Sequence, residues 1–285
     1  VESGARLARA GEFTQRAFLN GRIDLMQAEA VMGVIQAKTE AALRNSTQLM
    51  NGELSRRIRL HRQELLNELA HIEASLDYPE DDIVSPESGT LLLLLEQTVR
   101  GFDNLLASSN TGKVLREGLR TVIIGKPNVG KSTLLNALLG EERALVTDIP
   151  GTTRDSIEEY ISIRGIPLQI IDTAGLRDSA DQVELMGMQR TRAAIESAGL
   201  ILLMIDASAP ISESDISILN DLPAIPVIVV VNKIDLPQLA DLAGWRDLTR
   251  KYPVVSLSAK EKAGLDKLED MIEKLVFANE AHLSI

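Results

Sequence analysis

Apolar residues recur at helical spacing through the first part of the chain. Leu25, Ala28, Val31, Ile35, Ala42 and Leu49 fall on one stripe, and Leu54, Ile58, Leu65, Leu69, Ile72 and Leu76 on a second. This is the period of amphipathic helices. Gly52 lies between the stripes and predicts a break, so residues 25–77 read as two long helices. Tyr78-Pro79-Glu80-Asp81-Asp82 predicts an acidic turn after them, and Ser85-Pro86 opens a further helical stretch over roughly residues 87–108. Helices of this kind bury their apolar faces only against partners, which predicts a bundle. Leu91 to Leu95 is an unbroken leucine run. It falls far short of the ~20 apolar residues of a membrane span, and reads as a buried helix turn.

The texture changes near residue 119. Short β-rich runs at 119–125, 158–164, 167–172, 199–206, 225–231 and 253–257 alternate with helical runs, the last helix covering about 264–277. Gly165-Ile166-Pro167 reads as a hairpin turn between two of these runs. Alternation of this kind predicts an α/β fold, a mostly parallel sheet with helices on both faces. Ligands of such sheets sit at the carboxyl ends of the strands. The expected organisation is therefore an α-helical bundle over 25–116 followed by an α/β domain over 117–277, with a tail at 278–285.

Composition narrows the function classes. Hydrophobic residues make up 45% of the 285 residues, enough for a sizeable core, but aromatics only 3%, so packing rests on aliphatic side chains. The absence of cysteine excludes disulfides and thiolate metal sites and fits a cytoplasmic protein. His61, His71 and His282 form no metal-ligand pattern. The net charge of −11 argues against a broad nucleic-acid footprint. No signal peptide or membrane span is predicted. The chain begins without Met and reads as a fragment.

The chemistry gathers at the predicted strand ends. Gly125-Lys126-Pro127-Asn128-Val129-Gly130-Lys131-Ser132 has the form GxxxxGKS between a strand-like run and a helix-like run opening at Thr133. Glycines let such a loop curl so that its amides point at phosphate oxygens, and the helix N-terminus adds partial positive charge. Lys131 is placed to reach the outer phosphates, and the Ser132 hydroxyl to take a Mg²⁺ position. Asp172-Thr173-Ala174-Gly175 follows another strand-like run. Asp172 can hold the water shell of Mg²⁺, and Gly175 can offer its N–H to a γ-phosphate. Gly151-Thr152-Thr153-Arg154-Asp155 lies between these segments and fits a mobile loop in which Thr153 completes the Mg²⁺ shell. Asn232-Lys233-Ile234-Asp235 ends a further strand. A buried Asp235 can accept from guanine N1–H and its amino group, and adenine would leave it unpaired. Ser258, Ala259 and Lys260, after the last strand, would pack on the base and add a backbone donor. Together the segments predict a guanine-nucleotide site.

The spelling of these segments resembles the MnmE (TrmE) family of bacterial tRNA-modification GTPases. The resemblance rests on residues 125–132, on Val146 to Asp155, on Asp172 to Arg177, and on Ala10 to Ala30, which belongs to no GTPase core. It covers nearly the whole chain and implies GTP hydrolysis coupled to modification of the wobble uridine (U34) of certain tRNAs.

Several further expectations follow from the resemblance alone. Leu176 occupies the place where Ras-like enzymes carry a water-orienting Gln. The family substitutes a bound K⁺, with Asn128, the carbonyls of Thr147 and Ile149, and Thr152 matching its ligands; an alkali cation suits such oxygen donors. Asp148, Pro150 and Gly151 belong to the same nucleotide-facing loop. Glu184, by itself a solvated acid, matches the family's catalytic Glu and joins Lys131 and Thr153 in the expected catalytic set. The family works as a homodimer through its G domains, with the FAD-dependent protein MnmG (GidA) and tRNA as partners. Residues 1–24 match the end of a domain that binds formyl-tetrahydrofolate, where Arg22 replaces a family Lys on the folate. Folate binding and the tRNA chemistry itself are not expected of the fragment, and helices 25–77 are expected to lack packing partners. Arg154 and Arg177 are arginine-finger candidates that read rather as salt-bridging loop residues, and Arg56, Arg57, Arg59 and Arg62 an RNA-contact candidate that reads rather as a solvated helix face. Two rival readings are a ribosome-assembly GTPase of the Era or EngA kind and a GTP-gated scaffold with negligible hydrolysis.

Overall fold

Capping decides where the first helices start. The computed structural model describes residues 6–78, 88–141, 159–171, 194–210, 212–220, 222–239 and 251–281. Helix α1 (Glu12–Leu19) follows Gly11, whose φ of 75° suits only a residue without Cβ strain. The apolar pattern gave no sign of it. Helix α2 (Leu25–Gln36) opens with a capping box: Gln27 N–H donates to Asp24 Oδ1 (2.9 Å) and Asp24 N–H to Gln27 Oε1 (3.0 Å). Helix α3 (Glu40–Met50) starts where the Thr39 hydroxyl accepts from Ala42 N–H (3.1 Å). The single helix expected before Gly52 is therefore two. Thr39 takes over a first-turn amide and stops continuation from α2.

Gly52, at φ 78°, makes the expected break, and helix α4 (Glu53–Asp77) follows. Helix α5 (Ser88–Glu117) runs nine residues beyond the expected end at 108. His61 of α4 sits over Gly101 of α5, where an added Cβ would lie 2.5 Å from Nε2, and its ring meets that of Phe102 in a tilted contact, centroids 5.4 Å apart. The leucine run on α5 is not a buried turn: Leu92 and Leu93 are 58% and 57% exposed. A run of consecutive leucines points around the whole helix circumference, so no single packed face can cover it.

The chain divides into two compact units, Val1–Arg116 with Asn279–Ile285, and Glu117–Ala278. In the second, strands β1 (Leu119–Ile124), β2 (Glu159–Ile163), β3 (Ile166–Ile171), β4 (Leu200–Asp206), β5 (Val227–Asn232) and β6 (Val254–Ser256) form one sheet in the order β2-β3-β1-β4-β5-β6. Only β2 runs antiparallel to its neighbour. Strands β4 and β5 are near-continuous apolar runs because both their faces are covered. Helix α6 (Lys131–Glu141) buries Leu134, Leu135 and Leu138, and helix α8 (Leu265–Ala281) buries Leu265, Leu268 and Ile272. Helix α7 (Glu213–Asn220) places Leu219 in the cluster formed by Ile201, Leu203, Val229 and Val231.

The hairpin turn falls on Arg164-Gly165, both at positive φ (49° and 82°), with Ile163 opposite Ile166. This is the backbone demand of a two-residue hairpin loop. Ile166 and Pro167, expected in the turn, already belong to β3. Pro167 is tolerated there because β1 begins to pair only at Leu168. Arg164 reaches Glu269, Asp270 and Glu273 of α8, with Nη1 2.8 Å from Glu273 Oε2.

Candidate nucleotide site

The loop after β1 is shaped by what surrounds it. A Cβ on Gly125 (φ 145°) would lie 2.5 Å from the Met204 carbonyl of β4. A Cβ on Gly130 (φ 100°) would lie 2.3 Å from Asn232 Nδ2. Both positions demand glycine for room as well as for φ. Asn128 is exposed and held at φ 62°. The first intrahelical bond of α6 is Leu134 N–H to Gly130 O (2.9 Å), so the amides of Lys131, Ser132 and Thr133 precede the helical ladder. Ser132 and Thr133 are exposed on this first turn, and Val129 is buried beneath it. Curled backbone, helix N-terminus and an exposed hydroxyl fit a phosphate chain with Mg²⁺.

Lys131 Nζ donates to the carbonyls of Gly125 (2.8 Å) and Lys126 (2.7 Å). Burial lowers its pKa from the ordinary value, as expected of a cation lacking a full counter-charge. A phosphate would supply that charge.

Asn232, at the end of β5, is 3% exposed. Its Nδ2 donates to Val129 O (2.8 Å) and its Oδ1 accepts from Ala259 N–H (2.9 Å). One side-chain amide therefore joins the phosphate loop to the loop after β6. Of the backbone donors in the Ser258–Lys260 segment, that of Ala259 is bonded to Asn232 in this structure.

Lys233, at φ 66°, donates to Asp206 Oδ2 (2.5 Å) at the end of β4. Burial alone would raise the Asp206 carboxyl. The bonds from Lys233 and from Ser208 N–H and Oγ outweigh it and hold the group below the usual carboxylate value. Ile234 is half-buried. Asp235 is exposed, contrary to the expectation of a buried carboxylate. Its Oδ1 accepts from Ser258 Oγ (2.6 Å), and this bond is the main cause holding its pKa low. Ser258 is 1% exposed and so aims Asp235 from below, while the Lys260 side chain is 78% exposed.

Thus Asn128–Thr133, Asn232–Asp235 and Ser258–Lys260 come together at the carboxyl ends of β1, β5 and β6. Thr147, Asp148, Ile149, Pro150, Gly151, Thr152, Thr153, Arg154, Asp172, Thr173, Ala174, Gly175, Leu176, Arg177 and Glu184 lie outside the described residues. Arg22 is exposed in the turn after α1. Arg56 and Arg57 both pair with Glu53 of their own helix. Among the described residues no group of three or more His, Cys, Asp or Glu is placed to hold a metal. Asp206, which sequence reasoning passed over, carried one usable signal: a carboxylate at the carboxyl end of an apolar strand.

A family model described as the MnmE helical domain matches residues 25–284, from the start of α2 to beyond α8. The chain belongs to the MnmE family. The tRNA modification GTPase MnmE of Geobacillus thermodenitrificans (strain NG80-2) is 51% identical over 281 residues, 98% of this chain and 61% of that protein. The protein of the same name from Bacillus subtilis (strain 168) is 49% identical over 280 residues, 97% of this chain and 61% of its own length. The chain thus spans about three-fifths of the length of these relatives. Among solved structures, Era in complex with MgGDPNP and a segment of 16S ribosomal RNA is 32% identical with a TM-score of 0.40, covering 54% of this chain and 55% of that one. The G domain of the T. maritima FeoB iron transporter is 25% identical with a TM-score of 0.39, covering 55% and 97%.

Proposed function

We propose that this MnmE-family chain binds and hydrolyses GTP, serving a longer protein that modifies the wobble uridine (U34) of tRNA. The observation that carries the reading is the Asn232 strut, which puts a phosphate loop and a carboxylate-bearing base loop in one fixed relation. Residues 25–116 form the first half of the helical domain and 117–277 the G domain.

Lys131, with the loop amides, binds the phosphates. Asp235 recognises the guanine edge by accepting two hydrogen bonds that adenine does not offer. Ser132, Thr153 and, through water, Asp172 would hold Mg²⁺; Asn128, the Thr147 and Ile149 carbonyls, and Thr152 would hold K⁺. Such cations would supply charge neutralisation at the phosphates, the service an arginine finger performs elsewhere. Leu176 has no hydrogen-bonding group; the family resemblance gives the orienting of the attacking water to Glu184, acting through other waters. The working form is a dimer through the G domains, in the cytoplasm, with MnmG and tRNA as partners. Arg22 would lie at the edge of a folate site. No described helix is long and apolar enough to cross a membrane.

The test compares GTP turnover in KCl and in NaCl. We expect at least a ~10-fold acceleration by K⁺, lost in Asn128→Ala. Equal rates in both salts, with Asn128→Ala unchanged, would remove K⁺ from the mechanism. Tight GTP binding with negligible turnover in either salt would instead favour a nucleotide-gated scaffold, the reading that Leu176 supports.

A further inference from the structure

Lys126, the second residue of the phosphate loop, sends its side chain away from the loop. Its Nζ donates to Ser212 Oγ and to Asp215 Oδ2 at the start of α7. The acceptor is rigidly placed. Asp215 Oδ2 also accepts from Ser212 N–H (3.0 Å) and Ser212 Oγ (3.2 Å), a helix-capping arrangement. The Asp215 side chain is only 9% exposed and that of Lys126 28%.

A buried carboxylate held by its own helix cap and paired with one lysine keeps that lysine in place. Separating the pair would leave a charge without compensation in a dry site. Lys126 is therefore anchored twice. Its side chain is fixed to α7, and its carbonyl accepts from Lys131 Nζ (2.7 Å). Asn128, at φ 62°, lies two residues further on.

We propose that Asp215 is a positioning residue for the nucleotide: by holding Lys126 it presets the phosphate loop in its binding conformation. This rests on the reading of the loop as a nucleotide site. The pairing also keeps a second lysine from folding into the space that Lys131 serves. A preset loop loses less conformational freedom when the phosphates arrive, and the gain appears chiefly in slower release.

The test uses the full chain and the dissociation rate of a fluorescent GDP, followed by stopped flow beside thermal unfolding. We expect Asp215→Asn to release GDP about 10-fold faster, although it makes the loop more positive, which on charge alone would slow release. Lys126→Met should have a similar effect, and the double variant should be less than about twofold faster than either single one. Wild-type release from Asp215→Asn, or effects of the two changes that multiply, would overturn the proposal. If Asp215→Asn loses its cooperative melt, Lys126→Met, at the more exposed partner, decides: wild-type release there overturns it. Failure of the unaltered chain to bind GDP would instead defeat the nucleotide-site reading on which it stands.

Discussion

The two units of this chain bury their apolar residues very differently. In the α/β unit the described strands of the sheet centre are closed on both faces, and Leu134, Leu168, Leu200, Ile201, Leu202 and Ile228 are 0% exposed. In the helical unit the described buried apolar residues are Ala30 and Ala42, and α4 buries none along its 25 residues. Leu69, Leu76, Leu92 and Leu93 face outward at 49%, 73%, 58% and 57%. The apolar stripes of the helical unit are nonetheless clear in its sequence. Periodicity states which face is apolar, and only the fold determines whether a partner covers it.

Native-state hydrogen exchange should give the largest contrast. Opening free energies run from near zero in poorly packed regions to the global stability in core elements. We expect amides of β4 and β5 to exchange about 10³-fold or more slowly than those of α4. Equal protection in the two units would break the comparison. Core truncation should sharpen it. Leu134→Ala on α6 removes a side chain with no exposed surface and should cost about 2–5 kcal/mol. Leu93→Ala on α5 should stay within about 0.5 kcal/mol, both read from urea midpoints.

The smallest effect is acidic. Asp206 and Asp235 in the α/β unit, and Asp24 in the helical unit, are all held below the ordinary value of 3.8. For Asp24 the leading cause is the bond from Ser55, followed by Gln27 N–H. A depressed folded-state pKa contributes stability that is complete above the unfolded value and lost as pH falls through the lower folded one. Thermal midpoints should therefore be level from neutrality to about pH 5 and fall below about pH 4. Asp206→Asn should make that fall shallower. An unchanged acid limb would show that the Lys233–Asp206 bond does not couple to folding.

Much of the α/β unit was legible from sequence because its signals are local. Apolar runs ending in Gly125, Asn232 and Ser258 marked strands and their functional ends within a few residues. The break at Ala37-Lys38-Thr39 was hidden because Ile35 and Ala42 are seven residues apart, two helical turns, so the apolar stripe keeps step across it. The contacts that organise the site were hidden for a different reason. Asn232 bonds Val129 across 103 residues, and Lys126 meets Asp215 across 89. No spacing rule reaches that far. Asp235 is expected from sequence as a buried base reader; the structure leaves it exposed and bonded to Ser258, which lies in another loop.

The Arg164 clasp bears on how the unit is assembled. Arg164 and Glu273 are 109 residues apart, so synthesis delivers the β2–β3 hairpin long before its acidic partners on α8. Until α8 emerges, the hairpin holds an arginine at a strained turn with nothing from that helix to answer it. Glu269, Asp270 and Glu273, for their part, crowd three negative charges onto about one turn of helix. Docking settles both tensions at once. Helix α8 thus acts as the closing piece of the domain, and a chain cut short before it would release a sheet whose hairpin is formed but not locked.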